Sequence, residues 1–345
     1  MKYNKLITDK PFQFETGGSL DHLELVYYTS DRPYRPGETV VWICHALTGN
    51  SNPEDWWPQL VGKDKLFDPD KYFVVCVSML CSPYGETGPA SLNPATGRPY
   101  FLDFPRTTVR DIVAAEILVR KHLGIGRIDL MLGPSIGGFQ ALEWVIMEPE
   151  VVQDVVFLAT ATRVTPFMTA FNESQRLALE ADPTFREARD LSGGSAGLAC
   201  ARSIALISYR TYAGYNLTQA EPEEDTLFAD RAASYQRYQG QKLLRRHFDA
   251  YSYWYLTYAL DSMNVGRGRG GVEAALSRIQ AHCMMISIDS DVLFPPSHGR
   301  ATVAALRYAD YREIHSAFGH DGFLVENDQL TAILQAVLER HKPNR

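Results

Sequence analysis

Ser135 is the side chain best placed to act as a nucleophile. It is the central residue of Gly133-x-Ser135-x-Gly137, which follows the apolar run 128–132 and precedes a segment of helical character, 139–144. Strand, Gly-x-Ser-x-Gly and helix are typical of a nucleophile elbow, a turn so sharp that the residues two before and two after the serine have no room for a bulky side chain. The helix that follows points backbone N–H groups at the same spot. The pattern therefore predicts a serine that becomes covalently acylated.

His320 is the candidate base. A serine hydroxyl needs a base within hydrogen-bond reach, and in α/β sheets with such an elbow the partners follow in the chain order serine, acid, histidine. His320 comes after the strand predicted at 311–315 and before the helix predicted at 327–341. Of the other histidines, His298 and His315 fall within predicted elements, so we expect His320 to be the base.

Two carboxylates compete for the role of the acid that orients the histidine. Asp289 and Asp291 both follow the strand predicted at 283–288. Either could be a turn residue, because aspartate often bonds its own backbone in turns. One buried acid is still needed to select the imidazole tautomer. Spacing alone leaves both open, and we favour Asp291.

An oxyanion hole needs two N–H donors. Ile136 directly follows the nucleophile and supplies the first. The second should come from residues 45–49, after the strand that ends at Cys44, where Leu47 is the candidate. An ordinary strand-to-loop turn explains this segment equally well.

The elements around these residues predict an α/β fold. Alternating strand and helix signals indicate a mainly parallel sheet with helices on both faces. Between the strands predicted at 151–159 and 283–288 lies a long stretch with few strand signals and with helix-forming runs, such as 173–181 and 196–209. We therefore expect an α/β-hydrolase core, whose first part is 1–164 and second part 276–345, with a helical lid inserted at 165–275.

Composition excludes several classes of function. A net charge of −7 argues against nucleic acid as a partner. The chain starts without an apolar signal region and has no 18-residue apolar run, so we expect neither secretion nor a membrane span. Five scattered cysteines predict reduced thiols in a cytoplasmic protein. No group of residues has metal-ligand spacing, so no metal is expected.

In several ordered segments the chain resembles the homoserine O-acetyltransferase family. The segments are His45-Ala46-Leu47-Thr48-Gly49, Gly85-Glu86-Thr87-Gly88-Pro89, Ser91-Leu92-Asn93-Pro94, the Ser135 elbow with Gln140-Ala141-Leu142-Glu143-Trp144, Ser208-Tyr209-Arg210, Ser290-Asp291-Val292-Leu293-Phe294-Pro295 and Gly319-His320-Asp321. The resemblance implies an α/β-hydrolase fold with a helical lid, a homodimer formed through that lid, and acyl transfer from acyl-CoA to the hydroxyl of homoserine. This is an early step towards methionine, with acetyl-CoA as co-substrate and no permanently bound cofactor.

Carried over by position, the resemblance implies that Ser135 is acylated in a ping-pong cycle, with His320 as base and Asp291 as its orienting acid. The chain departs from the family at Pro134 and Ile136, where glycine and methionine are common, and at Glu86, where serine or threonine is common.

The acceptor site needs one cation and one anion, because homoserine carries a carboxylate and an ammonium. Arg210 can bind the carboxylate with two parallel hydrogen bonds. Asp321, next to the base, can hold the ammonium. A solvated lid arginine and a turn aspartate would be the simpler interpretations of these two residues.

The exact substrates and the roles of two segments stay open. The donor could be succinyl-CoA, the acceptor serine, or the protein an esterase or thioesterase of the same fold; a non-catalytic scaffold is disfavoured by the complete triad order. The aromatic run 251–258 could line a CoA channel, although lid or dimer packing is favoured. Arg267 and Arg269 could meet CoA phosphates or belong to a flexible linker.

Overall fold

The computed structural model describes residues 1–341, and its centre is an eight-stranded sheet. The strands are β1 (Lys2–Ile7), β2 (Glu24–Thr29), β3 (Val40–Cys44), β4 (Phe73–Val77), β5 (Ile128–Pro134), β6 (Val152–Leu158), β7 (His282–Ile288) and β8 (Ala309–Ile314). Their order across the sheet is β1-β2-β4-β3-β5-β6-β7-β8. Strands β3 to β8 pair in parallel, whereas β1 pairs antiparallel with β2, and β2 with β4. This confirms the predicted α/β class and its mainly parallel sheet.

The sheet buries most of its length on both faces. All residues of β3, β4 and β5 are buried, which explains their continuous apolar sequences. Strand β1 differs: it lies at the edge with its lysines exposed, and its weak apolar pattern escaped the sequence analysis. Two short antiparallel pairs lie outside the sheet, Phe12–Gln13 with Ser19–Leu20 and Leu92–Asn93 with Arg98–Pro99.

Residues 1–341 contain thirteen α-helices. They are α1 (Pro53–Trp56), α2 (Val109–His122), α3 (Ile136–Met147), α4 (Pro166–Glu180), α5 (Pro183–Glu187), α6 (Ser195–Tyr209), α7 (Tyr212–Gln219), α8 (Arg231–Arg245), α9 (Ala250–Asp261), α10 (Val272–Leu276), α11 (Pro296–Ala304), α12 (Gly322–Val325) and α13 (Asn327–Glu339). Helices α2 and α3 contribute Ile112 and Trp144 to the apolar core on one face of the sheet, and α13 contributes Leu330 and Leu334 to the core on the other.

Seven helices, α4 to α10, lie between β6 and β7. Helix α4 packs on α6 and α9, and α6 packs on α8. The helix predicted at 173–181 begins two turns earlier, at Pro166, where proline is tolerated in the first turn and the Thr165 side chain accepts from the Met168 N–H. No helix within residues 1–341 combines the length and the apolar run needed to cross a bilayer.

Ion pairs hold the segment 266–271, where the chain returns to the core. Arg267 binds Glu15 at 2.8 Å, and Arg269 binds the buried Glu143 of α3 at 2.6 Å. Both arginines are therefore already engaged by carboxylates. Neither the CoA-phosphate nor the flexible-linker interpretation draws support from this arrangement.

Candidate active site

Ser135 occupies a strained turn between β5 and α3. Its φ of 59° and ψ of −122° place a non-glycine residue in a region that L-amino acids rarely adopt. Its N–H donates to the Leu158 carbonyl at 3.0 Å, and its carbonyl accepts from Gly138 N–H at 2.9 Å and Thr160 Oγ1 at 3.0 Å. These hydrogen bonds to the Ser135 backbone hold the strained conformation, which sets the direction of the serine side chain.

Close packing explains the two glycines of the elbow. A Cβ atom at Gly137 would lie 2.2 Å from the carbonyl oxygen of Cys44, and one at Gly133 would lie 2.3 Å from the carbonyl oxygen of Gly137. Both distances are far below van der Waals contact, so only glycine fits. The start of α3 is thereby brought against the end of β3, next to the loop that contains Leu47.

His320 and Asp291 form a buried pair. The Nδ1 atom of His320 lies 2.7 Å from Oδ2 of Asp291, and both residues are 3% exposed. The other carboxylate oxygen, Oδ1, accepts the N–H groups of Leu293 and Phe294 at 2.8 and 3.0 Å. Because Asp291 accepts a hydrogen bond from Nδ1, the proton of neutral His320 stays on that nitrogen, and Nε2 is free to act as a base.

The surroundings of His320 fix the ring and raise its pKa. The centre of its ring lies 5.2 Å from the ring centre of Phe294, 5.5 Å from that of Phe323 and 5.8 Å from that of Tyr209. Burial alone would lower the pKa of His320, but the charge and hydrogen bond of Asp291 outweigh burial, so the pKa lies above its ordinary value.

Asp289 has a different partner. Its Oδ2 lies 3.0 Å from Nδ1 of the exposed His315, and its Oδ1 accepts the Ser316 N–H at 3.0 Å. The two aspartates between which the sequence could not decide therefore contact two different histidines.

Ser135, His320 and Leu47 border one cavity of about 330 Å³. Ile136 is the first residue of α3, so its N–H has no acceptor within the helix. The loop with Leu47 is held by His45, whose Nε2 accepts the Met79 N–H at 3.1 Å and whose burial lowers its pKa to about 4. His45 is thus a neutral structural histidine.

Arg210 and Asp321 line the same cavity and contact each other. Arg210 caps the C-terminus of α6, and its Nε donates to Oδ2 of Asp321 at 2.7 Å. Asp321 follows His320 in the short turn Gly319–Asp321. The cation and the anion expected for an amino-acid acceptor are therefore both beside the candidate base.

The sequence analysis missed three further cations at this cavity, Arg202, Lys242 and Arg246. Arg246 binds Asp55 at 2.8 Å, but the cavity still has more cations than anions. A sequence signal for two of them is that Lys242 and Arg246 are four residues apart, a spacing that places both side chains on the same side at the end of helix α8.

The aromatic run in α9 packs the interior. Tyr251 stacks on Phe185, Tyr253 donates to Gln175 Oε1, and Tyr255 donates to the Phe104 carbonyl. These tyrosines are buried and do not border the cavity at Ser135, so the CoA-channel interpretation gains no support.

Glu86, where the chain departs from the family pattern, does not border the Ser135 cavity. It lies beside a separate groove with Ser82 and Tyr100. Burial raises the pKa of Glu86 to about 8, so its carboxyl group is mostly protonated at neutral pH. Within residues 1–341 no cluster of three or more histidine, cysteine or acidic side chains could hold a metal ion.

Comparison with known proteins identifies the family. Residues 39–326 match the family model of the alpha/beta hydrolase fold. The chain is 42% identical over 324 residues to a homoserine O-acetyltransferase of Cyclobacterium marinum, covering 93% of this chain and 91% of the relative.

Two solved structures share the fold. A homoserine O-acetyltransferase from Bacillus anthracis has a TM-score of 0.89 at 24% identity, covering 98% of this chain and 97% of that one. Esterase E22 has a TM-score of 0.87 at 22% identity, covering 98% and 99%. With the sequence match over nine-tenths of both chains, the conclusion is that this chain belongs to the homoserine O-acetyltransferase family of the α/β-hydrolase fold.

Proposed function

We propose that this protein transfers an acetyl group from acetyl-CoA to the side-chain hydroxyl of homoserine, a step of methionine biosynthesis in the cytoplasm. The observation that best supports this function is that Ser135, His320, Arg210 and Asp321 border one cavity. A nucleophile and its base are thereby combined with a cation and an anion suited to a free amino acid. The names of the relatives agree with this chemistry.

The first half-reaction acylates Ser135. Nε2 of His320 takes the hydroxyl proton while Oγ attacks the thioester carbonyl carbon, and Asp291 stabilises the imidazolium. The N–H groups of Ile136 and Leu47 stabilise the oxyanion. The C–S bond then breaks, the CoA sulfur takes the proton from His320, and acetyl-Ser135 remains.

The second half-reaction uses the charges of the acceptor. Arg210 binds the carboxylate of homoserine, and Asp321 binds its ammonium. His320 removes the proton of the acceptor hydroxyl, which attacks the acetyl carbon. The bond to Ser135 Oγ breaks, and the proton returns to the serine.

The lid favours transfer over hydrolysis. Arg202, Tyr209 and Lys242 come from helices α6 and α8 of the predicted lid and border the cavity. Water at about 55 M competes for the acyl-serine, but a bound and oriented hydroxyl can reach an effective molarity of ~10⁵ M or more.

Release of free thiol from acetyl-CoA tests this function. Without acceptor we expect a burst of about one thiol per protein and little turnover, and with homoserine we expect continuous release. Ser135→Ala should abolish both, whereas Ser174→Ala, on the exposed side of α4, should change neither. Serine and succinyl-CoA in place of homoserine and acetyl-CoA test the other substrates.

Continuous thiol release without any acceptor, unaffected by homoserine, would instead identify a thioesterase. A Ser135→Ala variant with full transfer activity would exclude an acyl-serine mechanism altogether.

We also propose a homodimer formed through the lid. Helix α7 and the segment after it expose four large apolar side chains, Tyr212, Leu217, Leu227 and Phe228, each at least 70% exposed. Several large apolar side chains exposed within one short stretch of the chain are a common sign of an interface. Light scattering should give a dimer mass for the wild type and a monomer mass for Leu217→Glu. Leu92 is also exposed but lies outside the predicted lid, so Leu92→Glu should remain a dimer. A monomeric wild-type protein would contradict this proposal.

A further inference from the structure

A second, smaller compartment meets the large cavity at Ser135. Ser135, Leu47 and Tyr209 border both, so the nucleophile lies at their junction. The small compartment has a volume of about 30 Å³, compared with about 330 Å³ for the large one. A water molecule needs about 10–15 Å³ of such space, so the compartment has room for about two groups of methyl size.

Apolar side chains limit the small compartment. Helix α4 contributes Met168 and Phe171, α9 contributes Leu260, and the loop after β7 contributes Leu293 and Phe294. Met168, Leu260 and Phe294 are themselves buried, so the walls are supported from behind by the core of the protein. A close-packed wall of this kind accommodates extra atoms only at a cost in free energy.

Three polar side chains that border the compartment are already bonded to other protein groups. Asn172 Nδ2 donates to Asp261 Oδ1 at 2.8 Å, and Ser208 Oγ donates to the Ala205 carbonyl at 2.7 Å. Gln175 donates from Nε2 to the Phe171 carbonyl, and its Oε1 accepts from the Tyr253 hydroxyl.

No lysine or arginine borders this compartment among the described residues. Arg176, next to Gln175 in the chain, binds Asp261 and Glu173 and lies over the Tyr258 ring. A carboxylate that entered the compartment would therefore be desolvated without a cationic partner, which is strongly unfavourable.

We propose that this compartment is the acyl site, that it admits acetyl and excludes longer or charged acyl groups, and that Met168 and Phe171 set the length limit. The inference rests on the proposed function, because it requires acylation of Ser135. It assigns the uncharged acyl group to the small compartment and leaves the charged parts of both substrates to the large, cationic cavity. Acylation is the step at which selection occurs: Oγ of Ser135 bonds to the acyl carbon, and the thiol leaves with the proton from His320.

Acylation measured without acceptor tests the length limit in the wild-type protein. The donors are acetyl-, propionyl-, butyryl- and succinyl-CoA, and the readouts are the thiol burst and the mass of the acyl-protein. An added methylene that does not fit costs about tenfold or more in rate. We expect butyryl-CoA to acylate about 100-fold more slowly than acetyl-CoA, and succinyl-CoA to give no burst. Equal rates with acetyl- and succinyl-CoA would overturn the proposal without any variant.

Variants then test which residues set the limit. Met168→Ala and Phe171→Ala should each raise the butyryl-to-acetyl rate ratio about tenfold. Succinyl-CoA should stay inactive in both, because neither change adds a cation. Leu177→Ala, an equal truncation on the exposed side of α4, should leave the ratio unchanged. An unaltered ratio in both folded compartment variants would refute the assignment of these two residues.

A second series of acyl donors separates this inference from the proposed function. The p-nitrophenyl esters of acetate, propionate and butyrate acylate a reactive serine without CoA or homoserine. If they show the length profile while acetyl-CoA or homoserine is inactive, the proposed substrates are wrong and the acyl site stands. If homoserine is acetylated but the profile is flat, the acyl site is wrong and the function stands.

Discussion

Arg210 and Asp321 are 111 residues apart in the chain, yet Nε of Arg210 donates to Oδ2 of Asp321 at 2.7 Å. This contact attaches the end of helix α6 to the turn that contains His320. Only one of the five guanidinium N–H groups is used in this pair, so Arg210 retains donors for a carboxylate ligand. An amino acid could therefore bind to the intact pair without separating it.

Arg210→Ala should raise the KM for homoserine by ~100-fold or more, because a charge-assisted contact to the carboxylate is lost. The thiol burst from acetyl-CoA should stay nearly unchanged, since the first half-reaction does not involve the acceptor. Steady-state and single-turnover kinetics separate the two effects. Arg245→Ala, on α8 outside the cavity, is the matched control. An unchanged KM would reject the carboxylate role of Arg210.

Asp291→Asn should reduce kcat by ~10⁴-fold, because the imidazole loses the acceptor that fixes its tautomer. Asp289→Asn removes a contact with the exposed His315 and should leave kcat within about twofold of wild type. Both variants replace one carboxylate oxygen by an amide nitrogen, at positions two residues apart. Should Asp289→Asn be the inactive one, the acid has been assigned to the wrong residue.

The pH dependence of acylation should follow His320. Only the neutral imidazole can accept the serine proton, and the pKa of His320 is raised above the ordinary value of about 6.5. The rate should therefore rise with pH and level off only above this raised pKa. In Asp291→Asn, burial acts without the opposing carboxylate, so the pKa should fall below that of the wild type. NMR titration of the His320 ring measures both, and a higher pKa in the variant would contradict the argument.

Gly137→Ala should lower the free energy of unfolding by about 3 kcal/mol, because the added methyl overlaps the Cys44 carbonyl oxygen. Gly126→Ala is the control, since no atom lies within 4 Å of the added Cβ and the backbone is not in the left-handed region. Its effect should stay within about 0.5 kcal/mol. Urea denaturation compares the two, and equal stabilities would show that the elbow has more space than the structure indicates.

Glu86 should make the protein less stable as the pH rises. Its folded pKa of about 8 exceeds its ordinary value of 4.5, so between these pH values the folded state keeps a proton that the unfolded chain has released. The free energy of unfolding then falls by at most about 1.4 kcal/mol per pH unit from this group.

Glu86→Gln should remove this contribution, so its stability relative to wild type should increase between pH 5.5 and 7.5 in urea denaturation. Glu224→Gln, at an exposed position between α7 and α8, should have a free energy of unfolding that changes with pH in parallel with that of the wild type. Parallel curves for Glu86→Gln as well would place the pKa of Glu86 near its ordinary value.

Local sequence patterns determined the fold class, the family and the elements at the site. A sharp turn leaves a local signature, because the glycines of the Ser135 elbow are required by contacts within a few residues and with one adjacent strand. Buried parallel strands likewise leave continuous apolar runs: the runs 39–44, 72–78 and 128–132 predict β3, β4 and β5 at nearly their observed bounds. Strand β1 was missed because only one face of an edge strand packs against the protein.

Tertiary structure alone decided which side chains meet. Asp289 and Asp291 are two residues apart and chemically identical, and only the tertiary conformation of the loop after β7 brings Asp291 to His320 and Asp289 to His315. The pairing of Arg210 with Asp321 and the size of the compartment beside Ser135 also depend on how helices α4, α6 and α9 pack near residues 291–321. Such distances arise from contacts between residues far apart in the chain, and no local pattern of residue types records them.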